Sequence, residues 1–241
     1  MTVFGRKRRR DEADGDAVDV VDESTETTGP YDVADVPDDD DTERLDLGSL
    51  RIPALPGLRV GVASDDEGNP RPEVIVSTED SAVRFLACAA PRSEGIWDEV
   101  RVEIAKSIVE QGGTATEVDD GPYGVEMVAK QPAGQGDTMT IRFIGINGPR
   151  WFLRILVQGD LATDPEASSV LDECIRGVVV DRGTEAMPVR EPLPITLTAE
   201  MVEQQRQHQE ALAEQQTTAP AKGGGRSSGK KRKPSPKPRK R

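Results

Sequence analysis

The sequence predicts an α+β fold: an antiparallel sheet packed by one long helix and a second, C-terminal helix, set between charged tails expected to be disordered. Three observations lead there. Apolar–polar alternation recurs in several short segments in succession, not one-to-one with helices. A single strongly periodic helical stretch interrupts them. The long runs of a single charge sign lie at the two ends of the 241 residues. A chain of this length accommodates one ordinary domain plus tails.

In chain order, LDLGSLRIP (45–53) alternates and is broken by Pro53 and Pro56-Gly57, and LRVGVAS (58–64) alternates again. DDEGNP (65–70) is a turn by composition. EVIVST (73–78) and AVRFLACAA (82–90) form a hairpin about an acidic turn. In SEGIWDEVRVEIAKSIVEQGG, Ile96, Val100, Ile104 and Ile108 recur at every fourth position, giving a helix with one apolar stripe. Ser93 is its expected N-cap, and Gly112-Gly113 its stop. Four strands follow as a meander, 114–118, 123–130, 138–146 and 150–158. Asp164-Pro165 is expected to open the second helix, with Val170, Leu171, Cys174 and Ile175 as its buried stripe, and Val178–Val180 reads as a short strand. Residues 182–197 are Pro-rich and wrap the surface.

Charge divides the chain into an expected basic-then-acidic arm (1–43), a globular domain (44–197), a polar helical segment (198–217) and a basic tail (218–241). Residues 1–10 hold five positive charges and no negative one, and 11–43 hold fifteen carboxylates and no Lys or Arg. Such segments bury too little apolar area to offset the entropy of ordering. Residues 44–221 carry 16 basic and 29 acidic side chains. No apolar run approaches the ~20 residues of a membrane-spanning helix, and no apolar stretch follows the basic start as in a secretory signal. Cys88 and Cys174 sit among apolar neighbours without CxxC spacing, and read as buried reduced thiols of a cytoplasmic chain.

No catalytic pattern stands out. The one histidine, His208, lies in a Gln-rich polar segment, so neither a Cys/His metal cluster nor a His-based triad is expected. There is no GxSxG, and no GxxxxGK[ST] or GxGxxG between a strand and a helix. The acidic runs lack the DxDxDG loop of a calcium site. No cofactor is expected.

Two candidate binding features remain. In NGPRWFLRIL (147–156), Arg150 and Arg154 bracket Trp151 and Phe152. Basic residues interleaved with aromatics can grip phosphates and stack bases, but the same letters spell a strand. Alternation puts Trp151, Leu153, Ile155 and Val157 on a core face and Arg150, Phe152, Arg154 and Leu156 on the other. A central strand is the favoured reading, leaving Arg150, Phe152 and Arg154 as a candidate surface patch. The second feature is the basic tail: Lys222, Arg226, Lys230, Lys231, Arg232, Lys233, Lys237, Arg239, Lys240 and Arg241. With no aromatic among residues 222–241, it could hold nucleic acid only through phosphates, weakly and without sequence preference. The acidic arm is a candidate intramolecular partner for it.

A resemblance adds to these readings. FGRKRRR with the acidic arm, then LDLGSLRIP, DSAV, APRSEGIWDEVR, GPYG, IRFIGINGPRWFLR and VVVDRG followed by MPVREPLPITL stand in one order. On these motifs the chain resembles an uncharacterised actinobacterial family catalogued as domain of unknown function thirty-seven ten. The resemblance implies no catalytic assignment. In element order the core is also similar to the Mog1/PsbP architecture, an analogy of fold alone. The functional expectation is a cytoplasmic interaction or adaptor domain without a recognisable catalytic site and with an unidentified protein partner. The alternatives are a nonspecific nucleic-acid-associated protein working through the tail and, behind it, an enzyme with an unrecognised carboxylate site. Membrane insertion is not expected.

Overall fold

The computed structural model describes residues 29–203, apart from 66 and 135, together with 206 and 207. The strands are β1 (Tyr31–Asp32), β2 (Arg44–Asp46), β3 (Leu50–Pro53), β4 (Arg59–Ser64), β5 (Pro70–Ser77) and β6 (Ser81–Ala89). After helix α1 (Trp97–Glu110) come β7 (Thr114–Gly121), β8 (Gly124–Gly134), β9 (Asp137–Gly148) and β10 (Trp151–Gly159). A single 3-10 turn (Asp160–Ala162), helix α2 (Ser169–Gly177) and β11 (Val179–Val180) complete the elements.

Seven strands form an antiparallel sheet in the order β4-β5-β6-β10-β9-β8-β7, and four short ones a second sheet, β1-β11-β3-β2. The large sheet is two meanders joined at its centre, where β10 pairs with β6 from Trp151↔Ala89 to Gly159↔Ser81. The chain leaves β6 at that centre and re-enters at the far edge in β7, so α1 must cross over β10, β9 and β8. That path covers only half of one sheet face. Trp97, Ile108 and their neighbours pack there on Met127, Ala129, Ile141, Phe143 and Phe152. The opposite face carries the larger core. Trp151, Leu153, Ile155 and Val157 join Val74, Val76, Val83 and Phe85 against Leu50 and Ile52 of β3 and Leu171, Cys174 and Ile175 of α2.

Alternation therefore held along β10, the middle strand of seven. Both helix starts differ from the sequence expectation. The first helix begins at Trp97, not after Ser93, because its cap comes from elsewhere in the fold. The Asn147 side-chain oxygen, at the end of β9, accepts the N–H groups of Ile96 (3.0 Å) and Trp97 (3.3 Å). Asp164 does not open the second helix. Its carboxylate closes a local turn on the Glu166 N–H (3.0 Å), and the helix begins only at Ser169.

The expected boundary at residue 44 also moves. Tyr31–Asp32 pairs in parallel with Val179–Val180, and the Trp151 indole N–H donates to Asp32 (2.6 Å). Hydrogen bonds from Thr42 and Arg44 hold the Asp40 carboxyl at about 2. The last part of the acidic segment is thus built into the domain, because two of its carboxylates have fixed donors. Residues 1–28, and the tail beyond 207, lie outside the described residues. The polar segment after 198 is helical at 199–203 and 206–207.

On the side of the sheet away from α1, a buried ion pair joins β8 to β9: Arg142 grips Glu126 through Nε and through Nη2 (3.0 Å). The Tyr123 N–H also donates to Glu126 (3.2 Å). Its phenol donates to Asp172 of α2 (2.5 Å), while the Arg176 guanidinium lies 5.1 Å from the ring centroid. Burial, then the Asp172 contact, pushes the Tyr123 phenol well above the usual tyrosine range.

Two measurements follow. A Cβ on Gly145 would enter the Trp97 indole. Gly145→Ala should therefore cost about 1–3 kcal/mol in urea unfolding, whereas Gly61→Ala, with open space around it, should be near neutral. Because the folded Tyr123 phenol is shifted up, its contribution is complete below the ordinary tyrosine value of about 10 and fades only above it. In an alkaline absorbance titration of the folded protein, Tyr123→Phe should leave the change around pH ~10 unaltered; a halved amplitude would contradict the burial.

Candidate functional site

Because α1 covers only half of its sheet face, a step remains where it lifts off β6. The strap 188–193 closes the other side. Beyond Phe85, β6 no longer pairs with β5. The strap takes over: Arg190 N–H donates to Ala89 O (2.7 Å), Ala89 N–H to Glu191 O (2.9 Å) and Leu193 N–H to Ala87 O (2.9 Å). Between helix and strap lies a cavity of about 190 Å³. Leu86, Cys88 and Phe152 form its floor, Ile96 and Val100 one wall, and Pro192 the other.

The floor is rigid. Phe152 stacks on Trp97 with centroids 6.0 Å apart and planes 25° apart, and the Trp97 indole N–H donates to Val125 O (2.7 Å). The mouth is charged and ion-paired. Arg154 reaches Glu73 (3.3 Å), which Arg84 also approaches (3.6 Å), so one carboxylate faces two guanidiniums. The Nε atoms of Arg84 and Arg154 are buried without a hydrogen-bond partner. Arg190 is held with left-handed backbone (φ 70°). Its guanidinium spans Glu103 (2.8 Å) and Glu99 (2.8 Å) on α1, which ties strap to helix. Registers place Gly61, Ile75, Arg84 and Leu156 in one row across the uncovered half of the sheet. The surface beside the cavity is thus mixed apolar and basic.

One thiol, that of Cys88, borders the cavity. The Cys88 thiol is pushed up by burial, with Arg154 opposing weakly. At neutral pH it is a protonated, poor nucleophile. Cys174, in the other core, is pushed by burial up to about 12; both cysteines are free. Among the described residues, no group of three or more His, Cys, Asp and Glu is placed to hold a metal ion. No helix among them is long and apolar enough to cross a membrane.

The three patch residues part company. Phe152 is buried in the floor, and Arg154 stands at the mouth of the same cavity. Arg150 is not in the strand: it sits in the β9–β10 turn with φ 66° and lines a different cavity. The tail residues from Lys222 to Arg241 lie outside the described residues. Sequence reasoning passed over Leu86, Cys88, Val100 and Arg190. The available signal was the arginine set between two prolines in MPVREPL, within a segment read only as surface wrapping.

A family model described as "Protein of unknown function (DUF3710)" matches residues 29–204, and the chain belongs to that family. The match begins where the described fold begins. No curated protein matches the chain, and no solved structure does.

The two thiols give a direct check on the cleft. Cys88 borders the cavity, whereas Cys174 is sealed in the larger core. Under native conditions an uncharged maleimide should modify Cys88 slowly and Cys174 far more slowly still, read by peptide mass mapping. Equal rates would mean that the cavity gives no access.

Proposed function

We propose that this DUF3710 member is a cytoplasmic interaction module, and that the cleft between α1, β6 and the 188–193 strap is where it docks a partner protein. The observation that supports the reading is an apolar cavity beside two guanidiniums, Arg84 and Arg154, that share the single carboxylate of Glu73. A cavity of about 190 Å³ takes one apolar side chain, not a cofactor-sized ligand. Arg154 and Arg84, sharing Glu73, favour a carboxylate beside that anchor. The occupant is therefore an acidic segment with one apolar anchor residue. Two buried free thiols fit a reducing compartment. Residues 1–28 and the segment beyond 207 act in this reading as charged arms on the rigid core, with the acidic arm able to contact the basic tail.

A second reading is kept for the ten Lys and Arg of 222–241, a nonspecific phosphate-binding tail. In the described domain the well-placed arginines are already engaged by carboxylates: Arg44, Arg51, Arg101, Arg142, Arg176 and Arg190. Nucleic acid would be held by the tail.

One experiment separates the readings. Pull-downs from native lysate would use the wild type, Leu86→Glu, Arg154→Glu and a chain truncated after Pro220, each checked for an unchanged unfolding transition. Under the docking reading, a discrete protein is lost with both cleft variants and retained on truncation. Under the tail reading, captured nucleic acid disappears on truncation and with rising salt, and is indifferent to the cleft. A protein captured equally by all four chains would refute the cleft assignment.

A further inference from the structure

Only two described residues other than glycine have positive φ, and both are arginines: Arg150 (66°) and Arg190 (70°). Left-handed backbone is disfavoured for a residue with a Cβ. For Arg190 the fold itself shows what holds it there, two carboxylates on α1. Arg150 has the same backbone and no carboxylate partner among the described residues. It follows Pro149 in the β9–β10 turn, and a proline followed by a positive-φ position is the type II pattern that favours glycine at the second place. NGPR carries an arginine there instead.

Arg150 lines a cavity of about 290 Å³ where two distant turns meet. The second turn, Asp181-Arg182-Gly183, follows β11 and brings another guanidinium. Arg182 gives one hydrogen bond to Glu185 O (3.0 Å), and its Nε is buried without a partner. Each oxygen of the two carboxylates in the wall already accepts one hydrogen bond. Asp32 accepts from the Trp151 indole (2.6 Å) and the Ala34 N–H (3.0 Å). Asp181 accepts from Arg51 (3.2 Å) and the Gly183 N–H (3.1 Å). The cavity is therefore left with surplus donors: two guanidiniums and the Thr184 hydroxyl. A second cavity of about 340 Å³ shares Asp181, Arg182 and Gly183 with the first.

We propose that the NGPR and DRG turns form a binding site for a small phosphate-bearing molecule, its phosphate held between Arg150 and Arg182. A carboxylate is satisfied by one guanidinium fork, whereas a phosphate dianion presents enough oxygens for two. The cavity has more space than the phosphate alone needs. The site is separate from the α1 cleft and stands whether or not that cleft docks a protein.

The test uses the full chain with glycerol 1-phosphate, inorganic phosphate and succinate as probes, at constant ionic strength set with sodium chloride. Binding is read by calorimetry and by tryptophan fluorescence, since Trp151 is bonded to the wall residue Asp32. The wild type should bind one equivalent of glycerol 1-phosphate, more tightly than succinate. Arg150→Gly should raise the melting temperature, because glycine relieves the left-handed turn, while weakening glycerol 1-phosphate about 10-fold or more. Arg182→Gln should weaken it similarly with the fold intact. The basic tail is present in every variant, so the difference isolates the cavity. The proposal is overturned if the wild type shows no saturable phosphate binding, if succinate binds as tightly, or if both variants bind like the wild type.

Discussion

The pairing of β10 with β6 is the constraint on which the remaining structure depends. It joins two meanders into one sheet, and it obliges the chain to travel from the middle of that sheet to its far edge. Helix α1 is the span. It passes so close to β9 that only a glycine fits at 145 beneath the Trp97 indole. Its start is fixed by Asn147, a residue at the end of the strand that it crosses. The position of the helix decides which sheet positions are covered, and hence where the cavity over Leu86, Cys88 and Phe152 opens.

The strap has a complementary role. β6 outlasts its partner β5, and its last residues would present unpaired backbone groups. Residues 190–193 satisfy those groups, and Arg190 locks the strap to α1. One short irregular segment therefore finishes the sheet and walls the cleft. The cleft owes its rigidity to these backbone bonds and to the Trp97–Phe152 stack.

The succession of strands along the chain and the α+β class were legible in the sequence because alternation is a local property, and β10 shows it most clearly: Trp151 and Phe152 face opposite cores. The pairing of β10 with β6 was not. The helix starts were not, because what caps α1 is a side chain 50 residues or more away. Arg150 was misplaced onto the strand because nothing in NGPRW marks a left-handed arginine; the usual signal there is a glycine or asparagine. The site was legible only in pieces. Phe152 and Arg154 were visible as a pair, but the partners that make a cleft of them, Leu86, Val100 and Arg190, arrive through long-range pairing that periodicity does not encode.

The pairing of Tyr31–Asp32 with Val179–Val180 orders events in time as well as in space. The first described strand finds its neighbour only near the last. Likewise, the partners of β6 in β10 lie between 62 and 78 residues later in the chain. Contacts so distant must overcome loop-closure entropy before they are rewarded, which places folding toward the slow end for domains of this size. During synthesis, the apolar face of β5 and β6 lacks the part of its cover that α2 supplies until most of the domain has left the ribosome.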